Sequence, residues 1–209
     1  MDTSVQITWL GHSCFRLEYR GFVLILDPFE DDSVPGLKNI REAAHLVLCS
    51  HEHFDHNFRQ GVTLLPAPAE NPFGITAVQT FHDEVSGAKR GDNLVYVLQA
   101  GRQKIVHLGD LGHKLSPEQV QAIGKPDLLL LPIGGTYTVT AAEARAVADS
   151  LSPRVIIPMH YRGNGFGFDN IGTVDEFTGL CQNVEVYPGN TFVLTPQTPA
   201  QVAVLQPPR

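Results

Sequence analysis

Hydrophobic and polar positions alternate from Val5 to Leu10 and again from Cys14 to Tyr19, with Gly11-His12 between them. An apolar run from Phe22 to Leu26 follows the Arg20-Gly21 turn. Alternation sends successive side chains to opposite faces, so the pattern predicts a strand meander with a buried side. It ends at Asp27-Pro28, where the proline stops the ladder and leaves an acid at the strand terminus. Leu46 to Cys49 predicts a short buried strand, and Leu64 to Pro72, broken by Pro66, Pro68 and Pro72, an edge segment with a loop. Gly74 to Thr80 alternates again, and Leu94–Leu98 with Lys104–Leu108 predicts a hairpin around Ala100-Gly101. Leu128–Leu131 and Val155–Tyr161 are nearly all apolar, as interior strands covered on both faces should be. Val184–Tyr187 reads as the last strand, and the proline-rich tail after Thr195 as peripheral. Capping boxes predict helices after Ser116 (to Gly124), after Thr140 (to about Leu151) and after Thr173.

A meander in the first half and strands alternating with helices in the second fit two mixed sheets face to face with helices outside. No repeat or composition break divides the chain, so residues 1–209 are expected to form one domain. A hydrophobic share of 43% with 18% charged residues is that of a globular protein, and no apolar run is long enough to span a bilayer. The N-terminus, with Asp2 and an alternating strand pattern, lacks a signal-peptide layout. Cys14, Cys49 and Cys181 are an odd, dispersed trio, which suits reduced thiols and a cytoplasmic protein. Cys49, inside its apolar run, reads as a buried hydrophobe. A formal net charge of −7 without Lys/Arg runs disfavours a nucleic-acid surface. The partners expected are a small-molecule substrate and no membrane; oligomerisation stays open.

The chemistry is concentrated in Ser50-His51-Glu52-His53-Phe54-Asp55-His56. While the chain is extended, His51 and His53 share a face and Glu52 points away. The turn that should follow lets Asp55 and His56 aim at a second point nearby. Neutral imidazoles and a carboxylate are ligands for zinc, manganese or iron, so the spacing suggests two metals. Three further residues emerge from strand ends. His82 follows the strand through Thr80, with Asp83 or Glu84 placed to orient it; a solvated loop histidine is the other reading. Asp110 ends a buried strand, where an unpaired carboxylate would be costly and a position between two cations would remove the cost. His160 stands where Val155–Tyr161 breaks at Pro158. Asp27 is either a turn former or a partner for a ligating imidazole. Lys89 and Arg90 either contact an anionic substrate or face solvent. Thr136 and Tyr137, after Gly134-Gly135, either shape a plain turn or touch substrate. His107 and His113 receive no assignment.

The Ser50–His56 segment resembles the His-x-His-x-Asp-His signature of the metallo-β-lactamase superfamily, and the resemblance covers nearly the whole chain. His12, in Gly-His-Ser-Cys-Phe, is similar to the N-terminal Gly-His of the ascorbate-lactonase-like branch and its relatives. The resemblance implies a four-layer αββα sandwich, an α+β fold. It implies that His51, His53 and His82 hold one divalent cation, and that Asp55, His56 and His160 hold a second, with Asp110 bridging. Asp27 would orient a ligand and His12 would line the site. Zinc is the first expectation, with manganese or iron admissible. Two cations about 3.5–4 Å apart can lower the pKa of a shared water toward ~7, which implies hydrolysis of a small-molecule ester, lactone or phosphodiester, with Asp55 and Asp110 as catalytic acids of the site. The branch favours a lactone. Two other classes stay open. The redox branch, which holds iron, typically has an acid where His53 stands, and a metal-stabilised binding or sensor domain would bind without turnover.

Overall fold

The structure is a computed structural model that describes residues 4–66, 68 and 70–208. Asp2, and Ala67 and Ala69 within the Leu64–Pro72 loop, lie outside the described residues.

The meander forms as its alternation requires. Strands β1 (Val5–Gly11), β2 (Cys14–Tyr19) and β3 (Phe22–Leu26) pair antiparallel in sequence order. β5 (Leu46–Leu48) adds parallel to β3, and β13 (Thr191–Leu194) closes the other edge of this five-stranded sheet against β1. A second sheet of seven strands has the order β12 (Val184–Val186), β14 (Gln201–Val204), β11 (Val155–Met159), β10 (Leu128–Pro132), β9 (Gln103–His107), β8 (Asp92–Ala100) and β7 (Phe73–Phe81). β10 and β11 are buried along their whole length, which is why their sequences show no alternation.

The two sheets close on one hydrophobic core. Val5, Ile7, Trp9, Phe15, Leu17 and Leu24 from the first sheet and Val95, Leu98, Ile105 and Leu129 from the second are fully buried within it. Helices α1 (Pro117–Ile123) and α2 (Ala141–Leu151) pack on β7 and β10, and α2 also meets the five-residue α3 (Val174–Thr178). Both α1 and α2 start at capping boxes, Ser116 with Gln119 and Thr140 with Glu143, as their sequences predict. The far face of the five-stranded sheet is covered by Phe29, Val34 and Ile40 from the segment after β3, with Ala44 and Val62 from the paired short strands β4 (Glu42–Ala44) and β6 (Val62–Leu64).

One expectation fails. The tail after Thr195 is not peripheral: β14 inserts parallel between β11 and β12, and Val202, Ala203 and Val204 are buried there. Nor is Val184–Tyr187 the last strand, since β13 and β14 follow it. Pro196 and Pro199 shape the connection into β14 and never enter the ladder.

Strand direction then decides where chemistry gathers. β1, β3 and β5 run one way in the first sheet, and β7, β9, β10 and β11 run one way in the second. Their C-terminal ends deliver His12, Asp27, His51, His82, Asp110, the 133–138 loop and His160 to one edge of the sandwich.

Candidate metal centre

At that edge the donor atoms fall into overlapping groups. Those of His51, His53 and His82 lie within 4.8 Å of one another, as do those of His12, Asp55, His56 and His160, and those of His51, His56 and Asp110. After His53 the chain turns, with His56 N and Asn57 N both donating to His53 O at 2.9 and 3.1 Å. The turn carries Asp55 and His56 away from the first group, while Glu52 points outward to Asn57 and Arg59.

Asp110 sits between the groups. Its Oδ2 is 3.3 Å from His82 Nε2, 3.2 Å from His56 Nε2 and 3.2 Å from His160 Nε2. Among the described residues, and despite that approach to Asp110 Oδ2, neither His56 Nε2 nor His160 Nε2 forms a hydrogen bond of proper geometry, and the same is true of His51 Nε2 and Asp110 Oδ1, all of them buried. Unpartnered buried polar atoms are costly, and this many pointing at one another is a cost a cation would remove. The spacing agrees. Metal–nitrogen bonds of about 2.0–2.1 Å put neighbouring ligand atoms of a tetrahedral site about 3.3 Å apart. The donor set therefore fits borderline divalent metal.

A buried frame aims the ligands. Asp27, with 0% exposure, accepts from Ser50 N (2.6 Å), Ser50 Oγ (2.6 Å) and His56 Nδ1 (2.9 Å). Ser50 Oγ, its hydrogen committed to Asp27, accepts from His51 Nδ1 at 2.9 Å. One carboxylate thus fixes two imidazoles in the tautomer that leaves Nε2 free. Asn93 does the same for the backbone: its Oδ1 accepts from Asp110 N at 2.9 Å while its amide donates to Thr80 Oγ1 and Leu108 O. Gly109 must be glycine, because a Cβ there would stand 2.3 Å from Asn93 Oδ1 and 2.5 Å from Ser50 Cβ, at φ +56°.

His12 Nε2 bonds Asp55 Oδ2 at 3.2 Å, and its ring lies 4.1 Å from that of His160. The open face of the site is a cavity of about 270 Å³ bounded by His53, Phe54, Asp55, His82, Arg90, Asp110, Tyr137 and Phe168. Tyr137 lines it; Thr136 does not, being exposed, with its hydroxyl donating to Asn170 O and its carbonyl accepting from Arg90. Asp83 does not orient His82. Its carboxylate instead accepts four backbone N–H groups, from Val85, Gly87, Lys89 and Arg90, and Glu84 pairs with Lys89 in solvent. His107 is buried and structural, donating to Ser13 O and accepting from Gly109 N, and His113 joins Phe81 N to Lys114 O.

Burial pushes the His51 imidazole down to about 3 and His12 to about 4, so both are neutral at physiological pH. His56 goes the other way. Burial alone would lower it, but Asp110, Asp55 and Asp27 facing it hold its pKa well above the usual imidazole value. Burial would raise the Asp110 carboxyl, yet His160 and His56 outweigh it and hold it well below the carboxylate range. Asp55 is likewise held low, against burial, by His56 and His12. His51 is thus in the form that can ligate, whereas His56 must first release a proton.

Sequence reasoning passed over Ser50, Asn93, Phe54 and Phe168. Ser50 stands beside His51 just past the end of β5, and that adjacency was the available signal; Asn93 lies inside β8 and meets Thr80 only once the sheet has formed. The aromatic pair has none.

Residues 6–160 match the model of the beta-lactamase superfamily domain. The UPF0173 metal-dependent hydrolase of Thermoplasma acidophilum is 30% identical, over 93% of this chain and 96% of that protein. A candidate zinc-dependent hydrolase of the metallo-β-lactamase superfamily from Thermotoga maritima superposes with a TM-score of 0.75 and 37% identity, covering 96% of this chain and 98% of that one. Igni18, a metallo hydrolase from Ignicoccus hospitalis, shares the fold at a TM-score of 0.66 and 24% identity, over 92% of this chain and 99% of its own.

Proposed function

Because the chain belongs to the beta-lactamase superfamily and is a metal-dependent hydrolase, we propose that its cluster is a dinuclear centre that cleaves an ester, lactone or phosphodiester bond of a small molecule. His51, His53 and His82 would hold one cation and Asp55, His56 and His160 the other, with Asp110 placed to serve both. Zinc suits a set dominated by neutral imidazole, and the Thermotoga maritima relative is described as zinc-dependent. The observation that carries the reading is the single oxygen, Asp110 Oδ2, standing 3.2–3.3 Å from three imidazole nitrogens contributed by three different loops.

Metal bound here supplies Lewis acidity, lowering the pKa of a coordinated water toward about 7 and polarising the oxygen of the scissile bond. The chain's own groups do the rest. Asp55 remains a carboxylate at neutral pH, opens onto the cavity with 13% of its side chain exposed, and is steadied by the His12 bond. It can accept the hydrogen bond of the attacking water and so orient it. Phe54, Tyr137 and Phe168 give the cavity apolar walls, which lower the local dielectric for the charges beside them. Among the described residues no helix is long and apolar enough to cross a membrane. Cys14, Cys49 and Cys181 are free thiols, which supports a reducing, cytoplasmic setting.

The test is to replace His51 or Asp110 with Ala and measure bound metal together with turnover of a panel of lactones, esters and phosphodiesters. Loss of metal and of turnover together is the expected result. Full activity in a variant that binds no metal would sink the proposal.

A further inference from the structure

We propose that Arg90 is a seat for an oxyanion on the substrate, so that the centre takes a compact ester or lactone carrying a carboxylate or phosphate a short distance from the bond it breaks; this rests on the hydrolytic reading above. Among the described residues Arg90 is the only Lys or Arg bounding the cavity over the candidate ligands, and it also bounds a neighbouring cavity with His51 and His53. Arg16, Arg41, Arg59, Arg145 and Arg154 each pair with a carboxylate; Arg20, Arg102 and Arg162, among the described residues, show no such ion pair but do not bound this cavity. Among the described residues Arg90 has no such partner. Its Nη2 donates to Thr136 O at 3.0 Å and its guanidinium lies 5.6 Å from the centre of the Tyr137 ring, which leaves most of its five N–H donors free.

The side chain is also held in place. Arg90 N donates to Asp83 Oδ2 at 2.8 Å, the last of the four backbone bonds that fold residues 83–91 around one carboxylate. Asp83 is 1% exposed, and Gly91 N closes the loop on Gly87 O at 2.9 Å. A rigid loop thus presents a partly buried, uncompensated guanidinium to a cavity walled by Phe54, Tyr137 and Phe168. A planar fork of donors matches the two oxygens of a carboxylate or phosphate, and the apolar walls strengthen that pairing. In a chain of formal net charge −7 most of the surface repels such an anion, so an unpaired cation beside the site selects for it. The small cavity limits the body that links anion to scissile bond.

The experiment compares two substrates that differ by one charge and cannot cyclise, mono-4-nitrophenyl fumarate and methyl 4-nitrophenyl fumarate, with zinc-loaded wild-type, R90K and R90M proteins. Wild type should favour the anionic ester in kcat/KM by on the order of 10- to 100-fold, chiefly through KM. R90M should bring that ratio to about one, and R90K should keep part of it. Retention of the wild-type ratio in R90M while both rates fall would mean that Arg90 is only a strut between two loops, and would overturn the proposal. Binding of monomethyl succinate and of methyl phosphate, followed by NMR, gives the second readout, with R90M expected to weaken at least one by about tenfold or more. Equal affinities in the two proteins would overturn it as well. Arg90-dependent binding with neither ester cleaved by wild type would retain the seat and reject ester hydrolysis.

Discussion

Replacing Asp27 with Asn should damage metal binding more than replacing it with Ala, although Asn is the smaller change. The carboxylate now takes hydrogens from Ser50 N, Ser50 Oγ and His56 Nδ1. An Asn keeps one oxygen for Ser50 N, but puts an NH₂ where Oδ2 stands. That amide donates to Ser50 Oγ, which frees the hydroxyl hydrogen to turn toward His51 Nδ1, 2.9 Å away. The same amide opposes His56 Nδ1–H. Both imidazoles are then driven to the tautomer protonated on Nε2, the atom each presents to the site, and neither can ligate in that form. Ala removes the buttress without imposing the wrong tautomer. Loss of such partners typically costs 10- to 100-fold in metal affinity, so D27A should fall in that range and D27N below it. Stability should run in the opposite order. D27N leaves about one buried donor unsatisfied, worth about 1–3 kcal/mol, whereas D27A leaves more and also places a β-carbon residue without Asn's tolerance at φ +45°. Competitive chelator titration and urea unfolding of the metal-free proteins measure the two orders. If D27N binds zinc as tightly as wild type, or D27A binds more weakly than D27N, Asp27 does not set the tautomers.

Three further outcomes follow from the same frame. Because Asp110, Asp55 and Asp27 hold the His56 pKa well above the usual value while His51 is neutral, metal uptake near pH 7 should release about one proton from His56 and tighten as pH rises; calorimetry in buffers of different ionisation enthalpy should show it, and buffer-independent heats would refute it. Asp83 has its pKa drawn down to about 2 by the backbone N–H groups it accepts, against burial, so its contribution is present above the ordinary carboxylate pKa near 4 and fades only as pH falls through about 2; D83A should speed amide exchange at 85, 87, 89 and 90 at neutral pH, and unchanged protection there would contradict the loop's dependence on that carboxylate. Gly109→Ala should cost roughly 2–4 kcal/mol from positive φ plus overlap with Asn93 and Ser50, and should lower metal content by displacing Asp110; a variant with wild-type zinc stoichiometry and melting temperature would show that the backbone relaxes freely.

What the sequence made legible, and what it hid, divides along one physical line. Period-two alternation, apolar runs and capping boxes are local, and the strands and helices they predict are present, down to the Ser116 and Thr140 caps. That these donors gather at one edge was legible in part. Asp110 follows a buried strand, where a carboxylate needs a partner, while His82 and His160 were picked out by the resemblance to the superfamily's ligand order, and the structure brings the candidates together. The position of β14 was not legible, because nothing local tells a strand at residues 201–204 to insert between two strands formed earlier in the chain. Asp83 was read as an aid to His82, since adjacency in sequence suggested it. Its true partners are backbone amides, which every residue has and no pattern marks. Tyr137 and Thr136 looked equivalent, and the φ of +59° at Thr136 separates them by turning the threonine outward and the tyrosine in.

Backbone conformation shapes the edge where the candidate site lies. His12, Asp27, Thr136 and His160 all have φ between +45° and +59°, a region that costs a side-chain-bearing residue about 1–2 kcal/mol. His12, Asp27 and His160 each stand directly after a strand at the edge where the site lies, and Thr136 in the loop after β10. At the first three the reversal in φ turns the side chain toward the site, and at Thr136 it turns the hydroxyl out to Asn170 O. The strain persists because the surroundings fix it: His12 O accepts from both Trp9 Nε1 and His160 N, and Asp27 N donates to Leu48 O. Those bonds join the two sheets and the two parallel strands beneath the centre. The same elements that form the core therefore set the separations of the donor atoms: Asp110 Oδ2 meets His82 and His160 just past the ends of β7 and β11, and His56 from the turn after His53, where Asp27 at the end of β3 holds its Nδ1.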